Sequence, residues 1–64
     1  EPIFLRINDV TKLTSISRSS IYRMISEGDF PIQIPFGNRQ VRWSRQEVLN
    51  WCEEKLTAAN NLLS

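Results

Sequence analysis

The chain has 64 residues, enough for one domain with a small core, since domains of this size bury only about 60% of their unfolded surface. Its 41% apolar and 23% charged residues are those of a globular protein rather than a disordered one. Eight basic and seven acidic residues leave a net charge of +1, which does not by itself announce a polyanionic partner. One cysteine and no histidine exclude an intrachain disulfide and, in practice, a structural zinc site. A disulfide-free small domain suits a reducing compartment, and neither a membrane-length apolar run nor a signal peptide is visible, so the expected location is cytoplasmic. No cofactor and no small-molecule ligand are expected, because so short a chain has little room for a pocket.

Ile3 to Ile7 form a short apolar run, either a brief strand or a packed lead-in. Asn8 is the expected cap of a first helix, with Asp9 complementing the macrodipole in its first turn. That helix runs from Asp9 to Thr14 and points Val10 and Leu13 to one side. Thr14 to Ser17 follow as a turn that drops Ile16 into the core.

A second helix begins at Arg18. Ser17 caps it, and Gly28 closes it where a positive φ is needed. Ile21, Met24 and Ile25 recur at helical spacing on one face. The other face holds Ser19, Arg23 and Ser26, flanked by Ser20 and Tyr22, and Glu27 at the far end is its one acid. Such a surface is either an ordinary solvated helix face or one that meets a polyanion. Two short helices joined by an anchored turn, residues 9–27, have the spacing of a helix-turn-helix, whose second helix enters the DNA major groove.

Beyond Gly28, Phe30 is a core plug and Pro31 ends any helix. Residues 32–43 read as a hairpin, with Gly37-Asn38 as a two-residue type II′ turn. Pro35 assigns the first arm to a sheet edge. On the second arm Val41 and Trp43 face the core, Gln40 and Arg42 face away, and Arg39 sits beside the turn. Ser44-Arg45-Gln46-Glu47 is a capping box that opens a third helix, residues 45–60. Val48, Trp51, Cys52 and Leu56 form its core face, with Trp51 in the core, and Glu53, Glu54 and Lys55 are solvated. Asn60-Asn61 weaken the helix, leaving Leu62-Leu63 as a frayed tail or a contact surface. The whole is one domain, residues 1–64: mainly α with a small β-hairpin, a winged helix-turn-helix.

Charge is unevenly spread: from Arg18 to Arg45 five arginines stand against two acids. Arg23 is the candidate reader of base edges, because its fork matches the two acceptors of guanine. Ser19, Ser20 and Tyr22 are further candidates for base edges. Arg18 is assigned to phosphate, and Arg39 to the backbone or minor groove. Arg42 either binds phosphate or pairs with Glu27 or Asp29. Arg45 joins the phosphate set at a helix N-terminus, which favours anions. Catalytic and metal-binding residues are not expected.

Phe4-Leu5-Arg6-Ile7, Ser17-Arg18-Ser19-Ser20-Ile21-Tyr22-Arg23, Gly28-Asp29-Phe30-Pro31, and Arg39-Gln40-Val41-Arg42-Trp43 with Glu47-Val48 and Trp51 follow one another in an order that resembles the AlpA-type phage regulatory proteins. These are similar to excisionases and to the DNA-binding heads of MerR-type regulators. The resemblance implies a double-stranded-DNA-binding domain of a prophage or integrated element, one that regulates transcription, for instance of an integrase gene. The alternative it implies is a directionality factor for excision, and a protein-binding adaptor is the further alternative. Integrase or other copies of the same protein on adjacent sites are the implied partners. The recognition helix maps onto Arg18 to Glu27 and the wing onto Gly37 to Arg42. One departure is Ser15, where the family often has glycine; a left-handed backbone there costs a serine about 1–2 kcal/mol.

Overall fold

Along Val41-Arg42-Trp43-Ser44 the side chains alternate, and the strand they form is the centre of the structure. The computed structural model describes residues 1–63. In chain order the elements are β1 (Phe4–Leu5), α1 (Ile7–Thr14), α2 (Arg18–Ser26), β2 (Ile34–Pro35), β3 (Val41–Ser44) and α3 (Arg45–Leu63). The lead-in is therefore a true strand. The three strands form an antiparallel sheet in the order β1-β3-β2. Pro35 lies on an edge strand, where its missing N–H leaves no gap in the ladder.

Nearly every element sends one residue to a common core: Leu5, Val10, Ile21, Phe30, Trp43 and Val48. Trp43 is fully buried, and its indole N–H is satisfied by the Pro31 carbonyl at 3.1 Å. Trp51 is half-buried at the rim rather than in the core, because its own N–H reaches out to the Asp29 carbonyl at 2.6 Å while its ring meets Phe30 edge-on. Two indoles thus hold the segment that follows α2.

The start of α1 differs from expectation. Arg6, not Asn8, is the N-cap, and the Asp9 carboxylate accepts the Arg6 N–H at 3.1 Å. Leu13 is 44% exposed instead of anchoring the core, since it fronts an open cavity beside Pro2, Leu5 and Arg45. The turn into α2 is as tight as the anchors require. Ser15 adopts a left-handed backbone (φ 61°, ψ 23°) and donates its N–H to the Thr11 carbonyl. The Thr14 hydroxyl donates to Val10 and accepts from the Ile16 N–H, so Ile16 turns inward.

Both ends of α2 form as read. The Ser17 hydroxyl accepts the Ser20 N–H at 3.3 Å. At the other end Gly28 takes φ 78°, its N–H bonds Ile25, and the Asp29 N–H bonds Met24, a complete Schellman motif.

The wing loop is one residue longer than a type II′ turn allows. Phe36 and Gln40 close it, and Gly37, Asn38 and Arg39 all have positive φ. The Gln40 N–H bonds Gly37, so Asn38 and Arg39 are the central turn residues and Arg39 lies within the turn. In α3 the Ser44 hydroxyl accepts the Glu47 N–H. The helix continues through Asn60-Asn61 to Leu63 instead of fraying at 60. Leu56 is 62% exposed and Leu62 87%, because α3 has run past the sheet by then and Val48 is its buried anchor.

Ser15→Gly should raise stability by about 1 kcal/mol by relieving the left-handed serine. In a domain of this size that lifts the thermal midpoint by about 4–8 °C. A melt followed by circular dichroism measures it, and an unchanged midpoint would mean that the turn carries no strain.

Candidate nucleic-acid interface

Helix α2 divides cleanly into two faces. Ile21 is buried and Met24 and Ile25 are half-buried against the core, while Arg18, Ser19, Arg23 and Ser26 are exposed. The serines near the start are organised by the cap. Ser17 donates its hydroxyl to the Ser20 hydroxyl at 2.9 Å and lies 3.5 Å from that of Ser19. Ser20 is thereby engaged with the cap, and Ser19 is the more open of the two. The Ser26 hydroxyl bonds the Arg23 carbonyl and so belongs to the helix itself.

Arg23 stands in the middle of the exposed face. Its guanidinium lies 3.5 Å from the Glu27 carboxylate, one turn on, with the two side chains 62% and 50% exposed. A pair so open to water holds the arginine only weakly, at about 0.3–0.5 kcal/mol. Tyr22 is half-buried, with its ring edge-on to Trp43 and the Arg18 guanidinium above it.

The wing supplies the other cations. Arg39 is exposed at the tip beside Asn38. Arg42 pairs with neither Glu27 nor Asp29. It donates to the Val41 carbonyl at 2.8 Å and to the Gln40 side chain at 3.2 Å, and lies over the Phe36 ring. Phe36 in turn packs edge-on against Phe4 of β1, so the outer face of the sheet builds a support for Arg42. The sequence pattern does not mark Phe36 and Gln40 as site residues. Their part follows from the observed register, which pairs Ile34 with Arg42 and brings Phe36 opposite Gln40. Arg45 is 30% exposed and 3.0 Å from the Glu1 carboxylate. It shares a cavity with Asp9, Lys12 and Leu13 of α1.

A tight helix-turn-helix, an arginine-bearing second helix and a short wing thus form one unit. The family profile described as "Prophage CP4-57 regulatory protein (AlpA)" matches residues 3–56, most of the chain. The chain belongs to the AlpA family of phage regulatory proteins. The AlpA match takes in β1, α1, α2, the whole wing and α3 as far as Leu56. A curated relative, "Uncharacterized protein ORF88" of Enterobacteria phage P4, is 44% identical over 48 residues, covering 75% of this chain and 54% of the relative. The chain thus aligns with about half the length of that relative. No solved structure gives a significant match. Among the described residues, no helix is long and apolar enough to cross a membrane.

Arg39→Gly should stabilise the free protein by about 1 kcal/mol, since glycine takes φ near 62° without the clash an arginine Cβ meets. Thermal unfolding of the two proteins side by side measures this, and a lower midpoint would show that the arginine side chain holds the wing.

Proposed function

We propose that this AlpA-family protein is a sequence-specific duplex-DNA-binding regulator of a phage or integrated element, acting in the cytoplasm without catalysis. The observation that carries this reading is the exposed α2 face centred on Arg23, weakly held by Glu27 and free to exchange a carboxylate for a base edge. In the proposal α2 lies in the major groove, and Arg23 reads guanine O6 and N7 with Ser19 beside it. Arg18 and Arg39 take phosphates on either side. Arg45 takes a third, displacing the Glu1 carboxylate, an anion that already occupies the same kind of position. Arg42, held on Phe36, lines the wing behind Arg39. The family supports transcriptional control as the output, with an integrase gene as the proposed target.

A single module of this kind covers about 600–1,000 Å² of DNA-facing surface, too little for tight binding by one copy. Useful affinity in this proposal comes from several copies on adjacent sites, with integrase as a further partner. Footprinting on the element's own DNA should therefore show repeated, closely spaced protections, whereas one tight site filled by one monomer would oppose this part.

Binding should be strongly salt-dependent. Each neutralised phosphate contributes about −0.9 to the slope of log K against log salt, so three give about −2.7. A duplex enriched from random sequence by the protein, titrated by fluorescence anisotropy at several salt concentrations, supplies the slope. Failure to enrich any duplex at low salt would overturn the reading. Arg23→Ala should cost about 1–3 kcal/mol on the enriched duplex and lower the ratio of specific to non-specific affinity. Arg39→Gly should weaken all sequences alike and reduce the slope by about one. The opposite result would make the wing the reader.

A further inference from the structure

We propose that Tyr22 does not read bases but positions Arg18, carrying its guanidinium on the ring and fixing it as a preformed phosphate clamp at the start of α2. This deepens the DNA-binding reading and rests on it.

Tyr22 has little freedom to reach into a groove. It is half-buried, and its ring meets Trp43 edge-on at 6.0 Å and 67°. Trp43 is itself immobilised by full burial and its bond to Pro31. The position of the tyrosine ring is therefore set by the core, not by the helix surface. Arg18 lies one turn earlier, with its guanidinium carbon 5.9 Å from the centre of that ring. Residues four apart on a helix stand one above the other, so the contact follows from the spacing.

The arginines differ in what holds them. Arg23 faces Glu27 and Arg45 faces Glu1, while Arg42 lies over the Phe36 ring but spends donors on Val41 and Gln40. Arg18 is held by an aromatic face. A guanidinium lying on a ring keeps its edge donors free, and those donors form the fork that takes two phosphate oxygens at once. Arg18 is also the first residue of α2, where unsatisfied backbone N–H groups add positive potential. The first turn of α2 contains no acid to compete for the site. Fixed direction, free donors and a favourable local field converge on one anion position, and Tyr22 supplies the first of these.

The test is a double-mutant cycle on the enriched duplex, read by anisotropy at four salt concentrations, with Tyr22→Phe, Tyr22→Leu, Arg18→Ala and the Arg18→Ala/Tyr22→Leu pair. Tyr22→Phe keeps the ring and should leave affinity, salt slope and sequence preference unchanged. Tyr22→Leu should weaken binding about two- to fivefold, the size of an exposed cation–π contact, and make the slope shallower. Arg18→Ala should lose about 0.9 of the slope, and Tyr22→Leu should add nothing further in that background. Loss of sequence preference in Tyr22→Phe would mean the hydroxyl reads a base, and an undiminished effect of Tyr22→Leu without Arg18 would mean the two act independently. Either result overturns the proposal.

Should Tyr22→Leu fail to fold, the wild-type protein still decides by NMR. The Arg18 Nε–H signal, assigned by its loss in Arg18→Ala, should be shifted upfield by the ring in the free protein and move on titration with the duplex. An unshifted signal overturns the ring contact whatever the DNA result. A shifted signal in a wild-type protein that binds no duplex would instead overturn the DNA-binding reading, and the clamp with it.

Discussion

The Trp43 indole is the constraint on which the other elements depend. It projects inward from the central strand, so β1 and β2 are held on either side of the residue that fills the core. Its N–H needs an acceptor once buried, and the Pro31 carbonyl provides one, fixing the chain just after α2. Its ring receives Tyr22 from α2 itself. The angle of α2 and the position of the wing are thus referred to one side chain. With six fully or nearly buried apolar residues among those described, that single bulky group has few substitutes.

The parts of this arrangement that were legible in the sequence are those set by local chemistry. Ser17 and Gly28 bracket α2 because a hydroxyl and a positive φ are what its two ends require. Pro35 marks an edge, and Phe30 and Trp43 are large apolar residues between turn signals. Where the structure departs from the local pattern, the reason is shared: neighbours outvote local signals. Asn8 is a good cap in isolation, but Asp9 three residues after Arg6 reaches the Arg6 N–H and starts the helix earlier. Leu13 and Leu56 keep the helical spacing, yet Leu13 fronts an open cavity and Leu56 lies past the end of the small sheet, so both stay exposed. Asn60-Asn61 is a poor pair for a helix, but propensity alone does not stop one that is already formed.

The wing shows how much one residue changes. A two-residue loop at Gly37-Asn38 would set Phe36 against Arg39, whereas the three-residue loop sets it against Gln40. A slip of one residue moves a strand's side chains to the opposite face. In the observed register Phe36 shares a face with Arg42 and lies beneath it. Arg39 meanwhile enters the turn, in a conformation that arginine rarely adopts. No short-range pattern encodes this choice. It comes from the cross-strand packing of Phe36 on Phe4, which are 32 positions apart in the chain.

The long third helix has a different kind of consequence. Every side chain from Glu53 to Leu62 is exposed, so that half of α3 rests on backbone bonds and surface contacts such as Lys55 over the Trp51 ring, not on burial in the core. An isolated helix of about ten residues is marginal in water. The molecule therefore has two parts of unequal support, a packed body and a helical extension. Fluorescence from Trp43 and Trp51 reports the body, whereas helical ellipticity averages over both. The two signals need not share a midpoint, and a two-state fit to ellipticity alone would understate the cooperativity with which the body itself unfolds.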